Sequence, residues 1–378
     1  MIFVKNLLLV SLDCVRADVA YSGKFKEINE LCANGTFFVN AISSAPLTPI
    51  SHATLLTGLQ PSNHGIRHLF KEKVKKGTKL IQQLFKEKGY NTSAIVSCPG
   101  MNKWYGFSKG FDHYDDEIPR LPDGSDPLKT VDVKLRGCAM KRANVVSERA
   151  IKWLEKNKKE PFFLFVHYFD AHWPYEAPKK FGGGNAYEEE VAFSSHYLGK
   201  VIKYLEENGL RENTTIVCFS DHGEDLDGLY PNDKGGKKLG HPEESGHGCL
   251  LYEQTQKVVL IINDSKVAKN KKINAQVRLV DVFPTLLDLF NIKYSGKLDG
   301  ASLMDTMSGK SNGVPVAYSE TFYAEEVNKK KSQFKNIESK KSVRIQNKYK
   351  VIFNIDSKEI EVYDLETDPL EKNNLCKN

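Results

Sequence analysis

The stretch Thr214–Asp225, TTIVCFSDHGED, decides the fold. Its first half is β-branched and aromatic, the composition of a buried strand, and its second half turns abruptly to Asp221, His222 and Gly223. In open α/β sheets ligands sit beyond the carboxyl ends of the strands, so an acid and an imidazole placed there read as a site. Working outward, the pattern recurs upstream, where the apolar run Leu7–Leu12 leads straight into Asp13. Further strands are expected at Thr92–Ser97, Phe162–Tyr168 and Val258–Ile262. Helical spacing of apolar residues is found at Thr78–Lys88, Asn144–Asn157 and Glu188–Asn208, the first and last stopped by Gly89 and Gly209. Val277–Phe290 reads as one more helix, bent by Pro284 or truly beginning near it. This alternation is that of an α/β sheet layered by helices. The last residues change character: Val343–Gln346, Tyr349–Asn354 and Ile360–Leu365 are short alternating runs expected to form a small antiparallel sheet. The expected division is 1–313 for the main domain and 314–378 for the appendage.

Composition excludes several classes. Of 378 residues, 40% are hydrophobic and 27% charged, as in ordinary soluble domains, and the net charge of +6 is spread over Lys-rich runs such as Lys71–Lys76 and Lys329–Lys331. No nucleic-acid partner is expected from that scatter. Leu7–Leu12 is too short for a membrane span. Seven widely spaced cysteines without a Cys-x-x-Cys pair indicate neither a disulfide framework nor a zinc knuckle, and a cytoplasmic location is expected. Oligomerisation is left open. Pro119–Val133 and Asp227–Gly246 read as long functional loops.

Asp13, Asp221 and His222 form a hard, oxygen-rich set suited to a divalent cation: Mn, Mg, Ca or Zn. A lone strand-end Asp often does no more than cap a helix, but a Ser-Asp-His-Gly run at a second strand end asks for more. Between them lies Thr48–Gly58, TPISHATLLTG, read as a turn at Thr48–Ser51 followed by a helix that stops at Gly58. A hydroxyl at such a helix start lies where anions are favoured. The plain alternative is that Thr48 or Ser51 caps the helix.

TPISHATLLTG resembles the sulfatase signature Cys/Ser-x-Pro-x-Arg followed by a helix ending in Thr-Gly, with the same ten-residue offset to Gly58. LDCVRAD (12–18) resembles the first metal-binding strand end of the sulfatase family within the alkaline phosphatase superfamily. FSDHGED (219–225) with GHGCLLYEQTQKVVLII (246–262) resembles the later metal strand and the stretch after it. VRLVDVFPTLLDLFNI (277–292), LDGASL, YSET and EVYDLETDPLEKNNL (361–375) resemble the family's late helix and C-terminal ending, in the right order. The resemblance implies an alkaline-phosphatase-like α/β/α sandwich with a central mixed sheet and a small C-terminal antiparallel subdomain. Departures are informative. The family's formylglycine precursor is replaced by Thr48, so no formylglycine is expected; its Arg is His52, and the second Asp of its usual pair is Cys14. In SCPGMNKWYGF (97–107) the Gly-Lys-Trp-His element is missing. A Thr nucleophile is similar to that of phosphodiesterases and phosphotransferases, and the Asp, nucleophile, Asp-His pattern to phosphonate monoester hydrolases.

The resemblance implies a metal held by Asp13, Thr48, Asp221 and His222, with Thr48 attacking a small anionic ester. His52, a turn along from Thr48, is expected to touch a non-bridging oxygen or to assist proton transfer. In FFLFVHYFDAHWPYEAP (162–178), His172 fits the family's ester-contacting His, while His167 reads as structural. His247 falls where the family places a Lys or His near the leaving group. Asp170, His172 and His247 could instead bind a second metal. His241 is a weaker candidate, and His64 is expected in a turn near the rim. The expected activity is a metal-dependent phosphate or sulfate ester hydrolase working through Thr48. The alternatives are a phosphoryl or phosphoethanolamine-type transferase, and a non-catalytic anion binder.

Overall fold

The computed structural model describes residues 5–120, 123–126, 141–159, 161–177, 180–182, 184–226, 236–242, 244–326 and 337–377. The chain forms two compact units, each assembled from separated segments: residues 1–37, 79–220 and 259–272 make the first, and residues 38–78, 221–258 and 273–378 the second.

The first unit is built on a mixed sheet. Its order is Lys271–Ile273, Thr36–Phe38, Leu260–Asn263, Thr214–Phe219, Asn6–Leu12, Phe162–Tyr168, Asn91–Ile95 and His113–Asp115. The three central strands are parallel and buried along their whole length, which is why they read as unbroken apolar runs rather than alternating ones. Leu260–Asn263 runs antiparallel to Thr214–Phe219. Helices Ala143–Asn157 and Ala186–Glu207 belong to this unit, close to the sequence expectation. The helix expected from Thr78 begins at Ile81, after Leu80 in extended conformation.

Register sets where the strand-end residues emerge. Leu9 lies opposite both Phe165 and Val217, so the three central strands run level toward their carboxyl ends. The ladder continues one residue past the first strand, Asp13 N–H donating to Tyr168 O at 2.9 Å. Cys14 then takes a left-handed φ of 60°, unusual for a residue with a side chain. Tyr187 pins that turn from both sides: its hydroxyl accepts from Arg16 N–H at 2.9 Å and donates to Cys14 O at 2.8 Å.

The second unit holds the helix Thr48–Thr57, all of it buried, which stops where Gly58 turns left-handed at φ 66°. The helix starts at Thr48 itself, so the turn expected over Thr48–Ser51 is helical already. Leu47, not a hydroxyl residue, occupies the N-cap and gives no side-chain cap. In the Val277–Phe290 segment, Val277–Arg278 is a strand, Leu279–Asp281 a 3₁₀ turn, and the helix runs Val282–Leu289 with Pro284 in its first turn, where the missing N–H is harmless.

The C-terminal antiparallel sheet has four strands: Val316–Thr321, Lys340–Ile345, Tyr349–Asn354 and Ile360–Asp364. Its first strand escaped the sequence reading. The hairpin after Ile345 turns on Gln346 and Asn347 at φ 50° and 64°, with Lys348 N–H returning to Ile345 O at 2.9 Å, a turn whose twist matches the strands. The expected loop Pro119–Val133 lies largely outside the described residues. Asp227–Gly246 does too in its first part, and it ends in a short strand, Ser245–Gly246. The described cysteines are all free. Among the described residues no helix is long and apolar enough to cross a membrane.

Candidate active site

In the second unit, three expected residues come together on one imidazole. His222 Nε2 lies 3.5 Å from Thr48 Oγ1 and 3.4 Å from Asp221 Oδ2. Its other nitrogen, Nδ1, is 2.9 Å from Gly223 O; a carbonyl only accepts, so Nδ1 carries the hydrogen and Nε2 offers a lone pair. A backbone carbonyl fixing the tautomer in this way is the outer-shell arrangement usual behind a metal-ligating His. Asp221 is oriented as well: its Oδ1 accepts His222 N–H at 2.9 Å and its main-chain oxygen accepts Ser51 Oγ–H at 2.7 Å. Gly223 permits the close approach, because any side chain there would run into the Gln254 carbonyl. Oxygen, oxygen and nitrogen donors converging at such spacing fit a hard or borderline divalent cation.

Thr48 sits at the first helical position, within the partial positive field of the unpaired N–H groups of the first turn. His52, one turn on, is fully buried. It donates Nδ1–H to Thr48 O at 2.7 Å and lies 3.6 Å from Asp221 Oδ2, which leaves Nε2 as its second nitrogen. His247 lies beside His222, the rings tilted by 39° with centroids 4.2 Å apart, and its Nδ1 is 2.9 Å from Glu224 Oε1. Sequence reading passed over Glu224; the signal was its place two residues after His222.

In the first unit, Asp13 is held at both oxygens. Oδ1 accepts the Cys14 thiol at 2.9 Å, and Oδ2 lies 3.0 Å from His167 Nε2. Ser97 N–H points at His167 Nδ1 at 3.4 Å, so Nδ1 accepts and Nε2–H donates to Asp13. His167 is hydrogen-bonded as expected, and it aims a carboxylate that the resemblance assigns to a metal. His172 is partly exposed, stacked on Phe169 at 4.2 Å, and donates Nδ1–H to Trp173 O at 2.7 Å. Asp170 is engaged elsewhere. Its Oδ1 meets Arg142 at 2.9 Å and accepts Ala143 N–H at 3.1 Å at the start of helix Ala143–Asn157. Arg142 also grips Glu190 at 2.6 Å; burial, against the pull of Arg142, pushes Glu190 up to about 7.

Two other histidines are structural. His64, expected near the rim, is fully buried: it contacts Thr54 Oγ1 at 3.1 Å and accepts Ile66 N–H at 3.2 Å. Burial, with a smaller push from Lys75, lowers it to about 3, so it stays neutral. The polar side chain suggested a rim; two internal hydrogen bonds explain the burial instead. His241 stacks flat on Tyr252, centroids 3.7 Å apart, and donates to Glu371 O at 2.8 Å.

Comparison with known proteins completes the picture. Residues 5–292 match the family model described as Sulfatase, and residues 248–378 match N-sulphoglucosamine sulphohydrolase, C-terminal. A sulfatase of Formosa agariphila is 24% identical over 84% of this chain and 75% of its own length. The chain spans 64% and 47% of the length of two other curated relatives. Among solved structures, a phosphonate monoester hydrolase of Agrobacterium radiobacter superposes with a TM-score of 0.78 at 17% identity, covering 99% of this chain and 92% of the other. Another, in complex with its substrate D-glucosamine-2-N,6-O-disulfate, gives 0.74 at 18% identity over 98% and 93%. The fold is therefore the alkaline-phosphatase-like one, with its mixed central sheet and separate four-stranded antiparallel sheet.

Proposed function

The chain belongs to the sulfatase family, whose members are ester hydrolases, and from that premise we propose that it hydrolyses a small anionic phosphate or sulfate ester with Thr48 as nucleophile. The observation that carries this reading is the convergence of Thr48 Oγ1 and Asp221 Oδ2 on the lone-pair nitrogen of His222, at the start of a buried helix.

Thr48, Asp221 and His222 would hold a divalent cation, with Asp13 added to the set by its strand-end motif. A bound cation would acidify the Thr48 hydroxyl and neutralise charge on a non-bridging ester oxygen. The chain's own residues supply the rest. The helix start favours the anionic group beside the nucleophile. His52, tied to Thr48 O, holds the first turn and presents Nε2. Thr48 Oγ forms a bond to phosphorus or sulfur as the alcohol departs, and water then cleaves the phospho- or sulfo-Thr48. His247 serves the leaving group, and His172 contacts the ester anion. Asp170, committed to Arg142 and a helix start, is read as structural, which favours one metal over two. No formylglycine is required, because a hydroxyl stands where the family's aldehyde precursor would be.

The neighbours leave both ester classes open: one acts on phosphonate monoesters, and another holds a sulfated glucosamine. A panel of nitrophenyl phosphate, phosphodiester, phosphonate and sulfate esters, assayed across Mn, Mg, Ca and Zn, tests the reading. Turnover of one class that needs metal supports it; no turnover of any class with any ion overturns it.

A further inference from the structure

The loop between Asp221 and Cys249 is closed by a small device that the catalytic reading does not use. Asp225–Leu226 and Ser245–Gly246 form an antiparallel ribbon in which Asp225 faces Gly246 and Leu226 faces Ser245. Continued one step outward, that register sets residue 224 opposite residue 247. The side chains meet there: Glu224 Oε1 is 2.9 Å from His247 Nδ1, with the Glu side chain fully buried and the His 12% exposed. His247 is flanked by Gly246 and Gly248 at φ 99° and 121°, and a side chain at 248 would strike the Tyr323 ring. Backbone conformation and ribbon pairing thus confine His247 to one place.

We propose that Glu224 is a positioning residue for His247, holding Nδ1–H so that Nε2 is presented to the leaving oxygen of the ester. The inference rests on the hydrolase reading above. A carboxylate only accepts, so the shared hydrogen belongs to Nδ1, which fixes the orientation of the ring and of Nε2 with it. In the first step Thr48 Oγ bonds to phosphorus or sulfur and yields its proton to solvent water while the bond to the leaving oxygen breaks, and that oxygen takes the proton carried on His247 Nε2. In the second step Nε2 recovers a proton from the water that cleaves the intermediate, and Thr48 Oγ takes one back from solvent water. Glu224 keeps its hydrogen bond throughout. A buried carboxylate is costly unless hydrogen-bonded, and Glu224 bonds to a partly exposed imidazole beside His222.

Holding a proton donor in place matters most when the leaving group is poor. The test therefore compares a nitrophenyl ester with an alkyl ester of the class the enzyme turns over, in wild type, Glu224→Gln, Glu224→Asp, His247→Gln and the double variant Glu224→Gln/His247→Gln. Bound metal is measured in each. The expected result is a fall in kcat of roughly 10–100-fold for the alkyl ester in Glu224→Gln and only a few-fold for the nitrophenyl ester. KM and metal content should hold steady, Glu224→Asp should recover part of the rate, and Glu224→Gln should add nothing in the His247→Gln background. Equal losses on both esters, additive losses in the double variant, or metal loss in Glu224→Gln would each overturn the proposal. ¹⁵N NMR of the His247 ring gives a readout independent of turnover. A hydrogen-bonded Nδ1–H in wild type and the loss of that signature in Glu224→Gln support the pairing, and an unchanged ring overturns it. A wild type inactive on every ester, with the NMR result as expected, sinks the hydrolase reading while leaving the pairing intact.

Discussion

Two regions of the second unit bury ionisable groups, and they do so in opposite ways. Beside the C-terminal sheet, Glu253 meets Arg344 and Lys350 at 3.2 Å each, and Lys350 meets Glu371 at 2.9 Å. Burial raises Glu253, but the two cations outweigh it and hold the carboxyl low, whereas burial pushes Glu371 up despite Lys350. Acids and protein cations alternate there, as in a structural network. At the start of helix Thr48–Thr57, Asp221 Oδ2 and Thr48 Oγ1 instead gather around the lone pair of His222. The first region joins donors to acceptors. The second gathers a carboxylate oxygen, a hydroxyl and an imidazole nitrogen, a donor set that suits a divalent cation.

If that contrast holds, variants in the two regions should fail differently. The largest effect is expected from Thr48→Ala, which should cut turnover by a factor on the order of 10³ or more. Circular dichroism and melting temperature should stay close to wild type, since Leu47 and not Thr48 occupies the N-cap. Next, Asp221→Ala should lose the bound divalent ion, read by elemental analysis of purified protein; wild type that is active without any ion would break the comparison at its centre. Lys350→Met should do the reverse. Removing the cation between two buried acids is expected to cost about 3–5 kcal/mol in thermal or denaturant unfolding. The kcat of the folded fraction should be unchanged.

The smallest effect sharpens the structural side. His64 is held neutral, its folded value lowered to about 3 against about 6.5 in the unfolded chain. The stability it contributes is present above pH 6.5 and is lost as pH falls from 6.5 toward 3. At pH 4.5 the loss is about 3 kcal/mol. Unfolding curves of His64→Gln should show a flatter acid limb over that window, and an identical limb would remove His64 from the account.

What could be read from sequence follows from the range of the interactions. The central strands were legible because parallel strands covered on both faces are uniformly apolar, and Asp13 and Asp221 stood out where the apolar runs stop. Thr48 was legible as a candidate, but its turn was misplaced: Pro49 at the second helical position suits a helix start as well as a turn. The edge strand Val316–Thr321 was missed because half of it is polar, and its identity depends on pairing with Lys340–Ile345. Nothing local marks the capture of Asp170 by Arg142, nor the burial of His64 behind Thr54. The pairing of Glu224 with His247 crosses a long loop and is fixed by two residue pairs of ribbon, a register no periodicity reveals.

The central claim is that Thr48 carries the transferred group. Rapid quenching of the enzyme with a substrate bearing a good leaving group, followed by peptide mass analysis, tests it directly. The account predicts the mass of one phosphoryl or sulfuryl group on the peptide containing Thr48, absent in Thr48→Ala. A burst of product with that peptide unmodified, or with the added mass on another residue, would contradict it.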